Sequence, residues 1–145
     1  MEQLITADEL INFLSTVEGL KEIPIEDLDA FVVPLVSIAV YESGQPIITR
    51  GTMGSHLFVL YEGRMRADVP LPDGRQLQFF MEKGSVVGEM SLVSSQPARA
   101  DVVAERQSIL LLLDIETCQS LMVNLWRVTK AFAGLIGTRI ANRSG

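Results

Sequence analysis

The chain has 145 residues, 48% of them hydrophobic, and a formal net charge of −6 at pH 7 from 12 Lys and Arg against 18 Asp and Glu. That is enough apolar material for the core of one domain, residues 1–145, and its scattered basic residues offer no positive face of the kind that DNA or RNA binding needs to displace counterions. No apolar run approaches the ~20 residues that span a bilayer, and the acidic start MEQLITADEL is unlike a secretory signal, so a cytoplasmic location without membrane contact is expected.

Residues 1–33 read as helical. Thr6-Ala7-Asp8-Glu9 has the spacing of a capping box, and Leu10, Phe13, Leu14 and Val17 follow on one face of a helix. A second helical piece, Ile25 to Val33, places Leu28, Phe31 and Val32 together, with Pro34 marking its end. From 34 to 113 the pattern changes to short strands. Leu57 to Tyr61 is one; Glu62-Gly63 turns into Arg64 to Val69; Pro72-Asp73-Gly74-Arg75 is a hairpin turn leading to Gln76 to Met81. Strands separated by glycine-containing turns every ~8 to 12 residues are the mark of an all-β barrel or roll. After the strand Ser108 to Leu113, residues 114–145 return to helix, first Ile115 to Asn124 and then a longer segment over 125–142 with an apolar stripe of Leu125, Val128, Phe132, Leu135 and Ile136. Gly134 and Gly137 interrupt that stripe at a cost of about 1 kcal/mol each relative to Ala.

Between strand and helix patterns lies VVGEMSLVSSQPARADVVA, residues 86–104. Gly88 lets backbone N–H groups approach an anion closely, and a helical turn expected to start at Met90 adds its positive end to the same spot. Glu89 repels a bare phosphate, so its presence makes sense where the ligand also carries hydroxyl groups that donate to a carboxylate. A sugar phosphate meets both demands. Ser91 and its neighbouring amides are further candidate donors, or Ser91 is a small filler at a turn.

In these residues the chain resembles the cyclic-nucleotide-binding domain family of catabolite activators, kinase regulatory subunits and cyclic-nucleotide-gated channels. Gly88, Glu89, Met90, Ser91, Leu92, Pro97, Ala100 and Val102 fall in register with that family's phosphate-binding cassette, and Arg50-Gly51-Thr52-Met53-Gly54-Ser55 is similar to its turn between the second and third strands. One position departs. The family's phosphate-pairing arginine corresponds to Ala98, and Arg99 stands one residue later, where an extended segment points the other way. Either the loop after Leu92 brings Arg99 inward, or the site has lost its charge partner.

The resemblance implies a mainly β fold with flanking helices, an antiparallel, jelly-roll-like double-stranded β-helix between N-terminal helices and two C-terminal helices. It implies a sensor of a cyclic nucleotide, cyclic AMP first, with Gly88, Glu89, Met90, Ser91, Ala98, Arg99 and Ala100 at the ligand. Its output would pass through the C-terminal helix to an effector protein or to a homodimer partner. The alternatives are a nucleotide-free interaction or dimerisation module of the same fold, and a sensor of another phosphorylated ligand such as a cyclic dinucleotide. The chain ends just past the helix that precedes a DNA-binding module in catabolite activators, so DNA binding by this chain alone is not expected.

Catalysis is not expected either. His56 is the sole histidine, placed by the pattern in an exposed turn, and a metal site would need several imidazoles and carboxylates on one ion. Cys118, the sole cysteine, lies in a helical pattern and reads as a small buried residue, with no base beside it.

Overall fold

The computed structural model describes residues 5–124 together with Lys130, Ala133, Gly134 and Ile136. These fall into two units, one of residues 37–115 and one of the segments that flank it.

In the flanking unit, helix α1 (Ala7–Leu14) starts at the expected capping box: the Glu9 N–H donates to Thr6 Oγ1 (3.1 Å) and the Thr6 N–H donates to Glu9 Oε1 (3.0 Å). Leu10, Phe13 and Leu14 are buried, as is Val17, but Val17 lies beyond the helix. The helix stops early because hydroxyls bond its last carbonyls, Ser15 Oγ to Asn12 (2.8 Å) and Thr16 Oγ1 to Phe13 (2.6 Å).

Helix α2 (Ile25–Asp27) widens into a π turn (Leu28–Val32) and tightens into a 3₁₀ turn (Val33–Leu35). Two expectations fail here. Pro34 does not end the helical path but sits inside the 3₁₀ turn, near its start, where its missing N–H is not needed. Phe31 does not share the face of Leu28 and Val32: those two are buried and Phe31 is 41% exposed. The bond from the Val33 N–H to the Leu28 carbonyl spans five residues, and this wider winding moves side chains off the ordinary helical phase.

Helix α3 (Ile115–Asn124) starts where expected, and Cys118 within it is buried. The second C-terminal helix, expected over 125–142 with Leu125, Val128, Phe132 and Leu135 in its stripe, lies outside the described residues except for Lys130, Ala133, Gly134 and Ile136, and Ile136 is buried.

The unit of residues 37–115 is a roll of two four-stranded antiparallel sheets. Its strands are β1 (Ser37–Tyr41), β2 (Pro46–Ile48), β3 (His56–Glu62), β4 (Met65–Pro70), β5 (Gln76–Met81), β6 (Val86–Val87), β7 (Asp101–Ala104) and β8 (Ser108–Asp114). The sheet orders are β1-β8-β3-β6 and β2-β7-β4-β5, so every sheet neighbour except the β4–β5 hairpin is distant in sequence. Side chains from both sheets meet in one core, with Phe58, Leu60, Val87 and Leu110 from the first and Met65 and Val102 from the second. The opposite faces of β3 and β8 are buried as well, at Leu57, Val59, Leu111 and Leu113. Burial on both faces is why these strands read as the near-continuous runs HLFVLYE and SILLLLD instead of alternating.

His56, expected in an exposed turn, is the first residue of β3 and half-buried. Pairing of His56 with Asp114 extends the β3–β8 ladder by one residue beyond the apolar run that marks it in sequence.

Hydrogen bonds from the Thr6 backbone, and then from its side chain, hold the Glu9 carboxyl below its ordinary value of 4.5. Folding lowers this pKa, so the stabilisation is full above the ordinary value and is lost as pH falls through the folded one. Wild type is therefore expected to exceed Glu9→Gln in thermal stability at pH 7, with the gap closing toward pH 3. Thr6→Ala should cost about 1 kcal/mol in urea unfolding.

Candidate functional site

Strand β6 is only two residues long, pairing Val87 with Phe58 and Val86 with Val59 of β3. The chain must leave it sharply, and Gly88 does so with φ 88° and ψ 1°. A Cβ at this position would lie 2.5 Å from the His56 carbonyl oxygen, so backbone shape and close approach both demand glycine.

A single 3₁₀ turn, Glu89–Leu92, follows. It starts one residue earlier than the expected Met90, because the left-handed Gly88 itself serves as its cap. One 3₁₀ turn has little macrodipole, so the positive end invoked from sequence is weak here. Its N–H groups are used locally: Ser91 donates to the Gly88 carbonyl (3.2 Å), and Val93 and Ser94 donate to that of Met90 (3.2 and 3.0 Å).

Glu89 is 5% exposed and is the one buried charged side chain among the described residues. Desolvating a carboxylate is costly unless it is hydrogen-bonded, and no buried side-chain nitrogen or oxygen among those residues lacks a partner. Met90, Ser91 and Ala100 are half-buried, and Leu92 is buried.

The descending arm of the cassette is held by the β2–β3 loop. The Gly51 N–H donates to the Ala98 carbonyl (2.8 Å), the Ala98 N–H donates to the Thr52 carbonyl (2.9 Å), and the Arg50 N–H donates to Asp101 Oδ1 (2.8 Å). The same loop brings Gly54 so near Ser91 that a Cβ on Gly54 would collide with the serine side chain. Both backbone groups of Ala98 are thus committed, and the residues there alternate in exposure: Ala98 and Ala100 half-buried, Arg99 exposed. Arg99 thus lies on the exposed side of this arm.

Three other arginines of the roll are held by carboxylates. Arg64 pairs with Glu82 (2.8 Å) and lies over Phe80; Arg66 is forked onto Asp68 (2.9 and 3.1 Å) and reaches Glu105 (2.8 Å); Arg75 pairs with Asp73 (2.7 Å). Lys83 lies over Tyr61, and Arg50, Arg99 and Arg106 are exposed.

An apolar wall begins beside the cassette. Ala67 of β4 stands opposite both Val102 of β7 and Phe79 of β5, so the three form one row across the second sheet, and Val69 and Leu77 form the next. Val102 and Ala67 belong to the core, whereas Phe79 is 52% and Leu77 45% exposed on the same face. Phe79 stands two strand spacings, about 10 Å, from Val102, which is the length of a nucleoside. The sequence reading had β5 within its correct bounds but did not single out these two residues. Their signal was a strand, QLQFFM, more apolar than an edge strand needs.

The family model described as "Cyclic nucleotide-binding domain" matches residues 38–124, more than half of the chain. The chain belongs to that family. Among curated proteins, this cyclic nucleotide-binding domain is 29% identical over 134 residues to cGMP-dependent protein kinase 2 of Mus musculus, an alignment covering 90% of the chain and 18% of the kinase. Among solved structures it is similar to the Thermus thermophilus catabolite activator protein (TM-score 0.73, 26% identity, covering 82% of this chain and 56% of that one). It also shares its fold with a regulatory subunit of a cAMP-independent protein kinase A from Trypanosoma brucei (TM-score 0.74, 23% identity, covering 88% and 46%). The domain therefore spans under a fifth of the length of the kinase and about half of each solved chain. Among the described residues, no helix is long and apolar enough to cross a membrane, and no three His, Cys, Asp or Glu side chains converge as a metal site.

Gly88→Ala combines a left-handed backbone with a clash against His56, and is expected to destabilise the domain by on the order of 1–3 kcal/mol, read as a lowered Tm. Unchanged stability would mean that β6 leaves the sheet by a different path.

Proposed function

We propose that this domain is a ligand-sensing regulatory module, not an enzyme, that receives a cyclic nucleotide in the roll and reports its presence through the C-terminal helix to an effector protein. Glu89 is the acceptor for ribose hydroxyls, Gly88 permits close backbone approach, and Met90, Ser91, Ala98 and Ala100 shape the phosphate end. Leu77 and Phe79 form the wall for the base. The observation that carries the reading is Glu89: a carboxylate buried directly after a left-handed glycine, in a segment tied to the β2–β3 loop through both backbone groups of Ala98. The tie holds the acceptor in place before ligand arrives, which reduces the ordering cost of binding.

Cyclic AMP is the ligand proposed first, with cyclic GMP the natural competitor given the relation to a cGMP-dependent kinase. Coupling to the helix is bounded by the difference in affinity of the ligand for the helix positions it selects between. Direct DNA binding forms no part of this reading, and a homodimer through the C-terminal helix is an alternative output.

A second reading is favoured by one observation, the outward Arg99 beside Ala98. It makes the domain a nucleotide-free interaction module. Another phosphorylated ligand, such as a cyclic dinucleotide, is the variant in which the arginine has moved from position 98 to position 99.

Calorimetric titration of the nucleotide-stripped chain with cyclic AMP, cyclic GMP and cyclic di-GMP separates these. Saturable binding is expected for a mononucleotide, weakened at least about tenfold by Glu89→Ala, since hydrogen bonds to a charged group are worth ~1.5–3 kcal/mol. No heat and no thermal stabilisation with any of the three would leave the interaction module. Phe79→Ala, at an exposed side chain, should leave Tm within about 2 °C while lowering nucleotide affinity roughly tenfold, as base–aromatic contacts are worth ~1–3 kcal/mol.

A further inference from the structure

A strand at the rim of a sheet offers a row of N–H and C=O groups to any other chain, and proteins blunt such rims with proline, charge, cover or a very short strand. Three of the four rims of this roll are blunted. β2 has three residues and begins with Pro46, β6 has two residues, and β1 is half-buried from Ile38 to Tyr41. β5 is different. Its six residues, Gln76–Met81, hold no charge and no proline, the first five are exposed, and among the described residues only β4 pairs with it.

The ladder register decides which of its backbone groups face outward. The Leu71 N–H donates to the Arg75 carbonyl (2.7 Å), in line with the β4–β5 register, and hydrogen-bonded pairs of an antiparallel ladder alternate with non-bonded ones. Leu77, Phe79 and Met81 therefore turn their backbone groups toward β4, and Gln76, Gln78 and Phe80 turn theirs to the open side. Three outward residues centred on Gln78 are complementary to themselves. With Gln78 of two copies directly opposite, Gln76 of each copy meets Phe80 of the other, and every outward N–H and C=O of the strand is paired. On the core-side face Leu77 of each copy meets Phe79 of the other, which covers side chains that are 45% and 52% exposed. Just beyond the strands the same register sets Asp73 opposite Lys83, so no like charges meet.

We infer that two copies of this chain pair antiparallel through the open rim of β5, about a twofold axis at Gln78, to form a closed dimer. The surface is distinct from the C-terminal helix, and the inference does not depend on what the roll binds. Assembly stops at two, because the pairing uses up the open rim and the joined sheet then ends at a Pro46 strand on both sides.

Sedimentation velocity of the full chain from micromolar to millimolar concentration tests this, and a monomer–dimer equilibrium is expected. Gln78→Pro removes an N–H that β4 does not use, and Gln78→Lys sets two cations opposite each other. Each should weaken dimerisation by about tenfold or more, and the lysine variant gives the readout where the proline variant fails to fold. Gln78→Cys should cross-link the two copies in a mild oxidant, since hydrogen-bonded partners lie about 5.5 Å apart at Cα, within disulfide range. Gln76→Cys should not, because its twin lies about four residues, or ~13 Å, along the ladder. A chain that stays monomeric at every concentration would overturn the inference. So would assemblies larger than two, or a dimer that Gln78→Lys leaves intact and Gln78→Cys does not cross-link, which would place the contact on another surface.

Discussion

Two backbone hydrogen bonds, from Gly51 to Ala98 and from Ala98 to Thr52, decide how the rest of this domain is arranged around its cassette. Residues 93–100 form no regular element, and ordering such a stretch costs ~1–2 kcal/mol per residue in backbone entropy. The pair of bonds, with the seat of Ser91 against Gly54 and of Gly88 against the His56 carbonyl, turns a surface loop into a fixed edge of the roll. The same bonds set which side chain faces which way, and so place Arg99 in solvent.

Charge in the roll follows a consistent division. Two of its arginines serve the scaffold: Arg64 pairs with Glu82, and Arg66 forks onto Asp68 of its own strand and ties β4 to the β7–β8 turn through Glu105, where the Asp68 hydrogen bond, then the Coulombic pull of Asp68 and Glu105, raises its pKa further. These pairs are partly solvated, so each contributes modestly to stability, yet together they occupy Arg64 and Arg66. Glu89 is the opposite case, an acidic side chain withdrawn from water in the segment proposed to read the ligand.

Local signals were the legible ones. The Thr6 capping box, the β5 strand Gln76–Met81 and helix α3 appear where short-range pattern puts them, because capping, alternation and helical phase act over a few residues. The phase error at Phe31 came from a π turn, which no 3.6-residue pattern contains, and Pro34 was misread because a proline fits within the first positions of a new turn as readily as it ends an old one. Motif register identified the cassette and flagged Ala98. The bonds that fix Ala98 and Arg99 join residues nearly fifty positions apart, and the exposure of Leu77 and Phe79 depends on which strands meet across the roll. Neither leaves a local trace.

The sheet order has a consequence for how the domain is made. β8, the last strand, lies between β1 and β3, and supplies the buried ladder on which both depend. During synthesis the first sheet therefore has no centre until the chain has been translated through Asp114. Until then β1 and β3 each expose an apolar edge that β8 alone is shaped to cover. Pairings of such long sequence separation are slow to form, which places this roll among domains that fold late and need protection from aggregation while they wait.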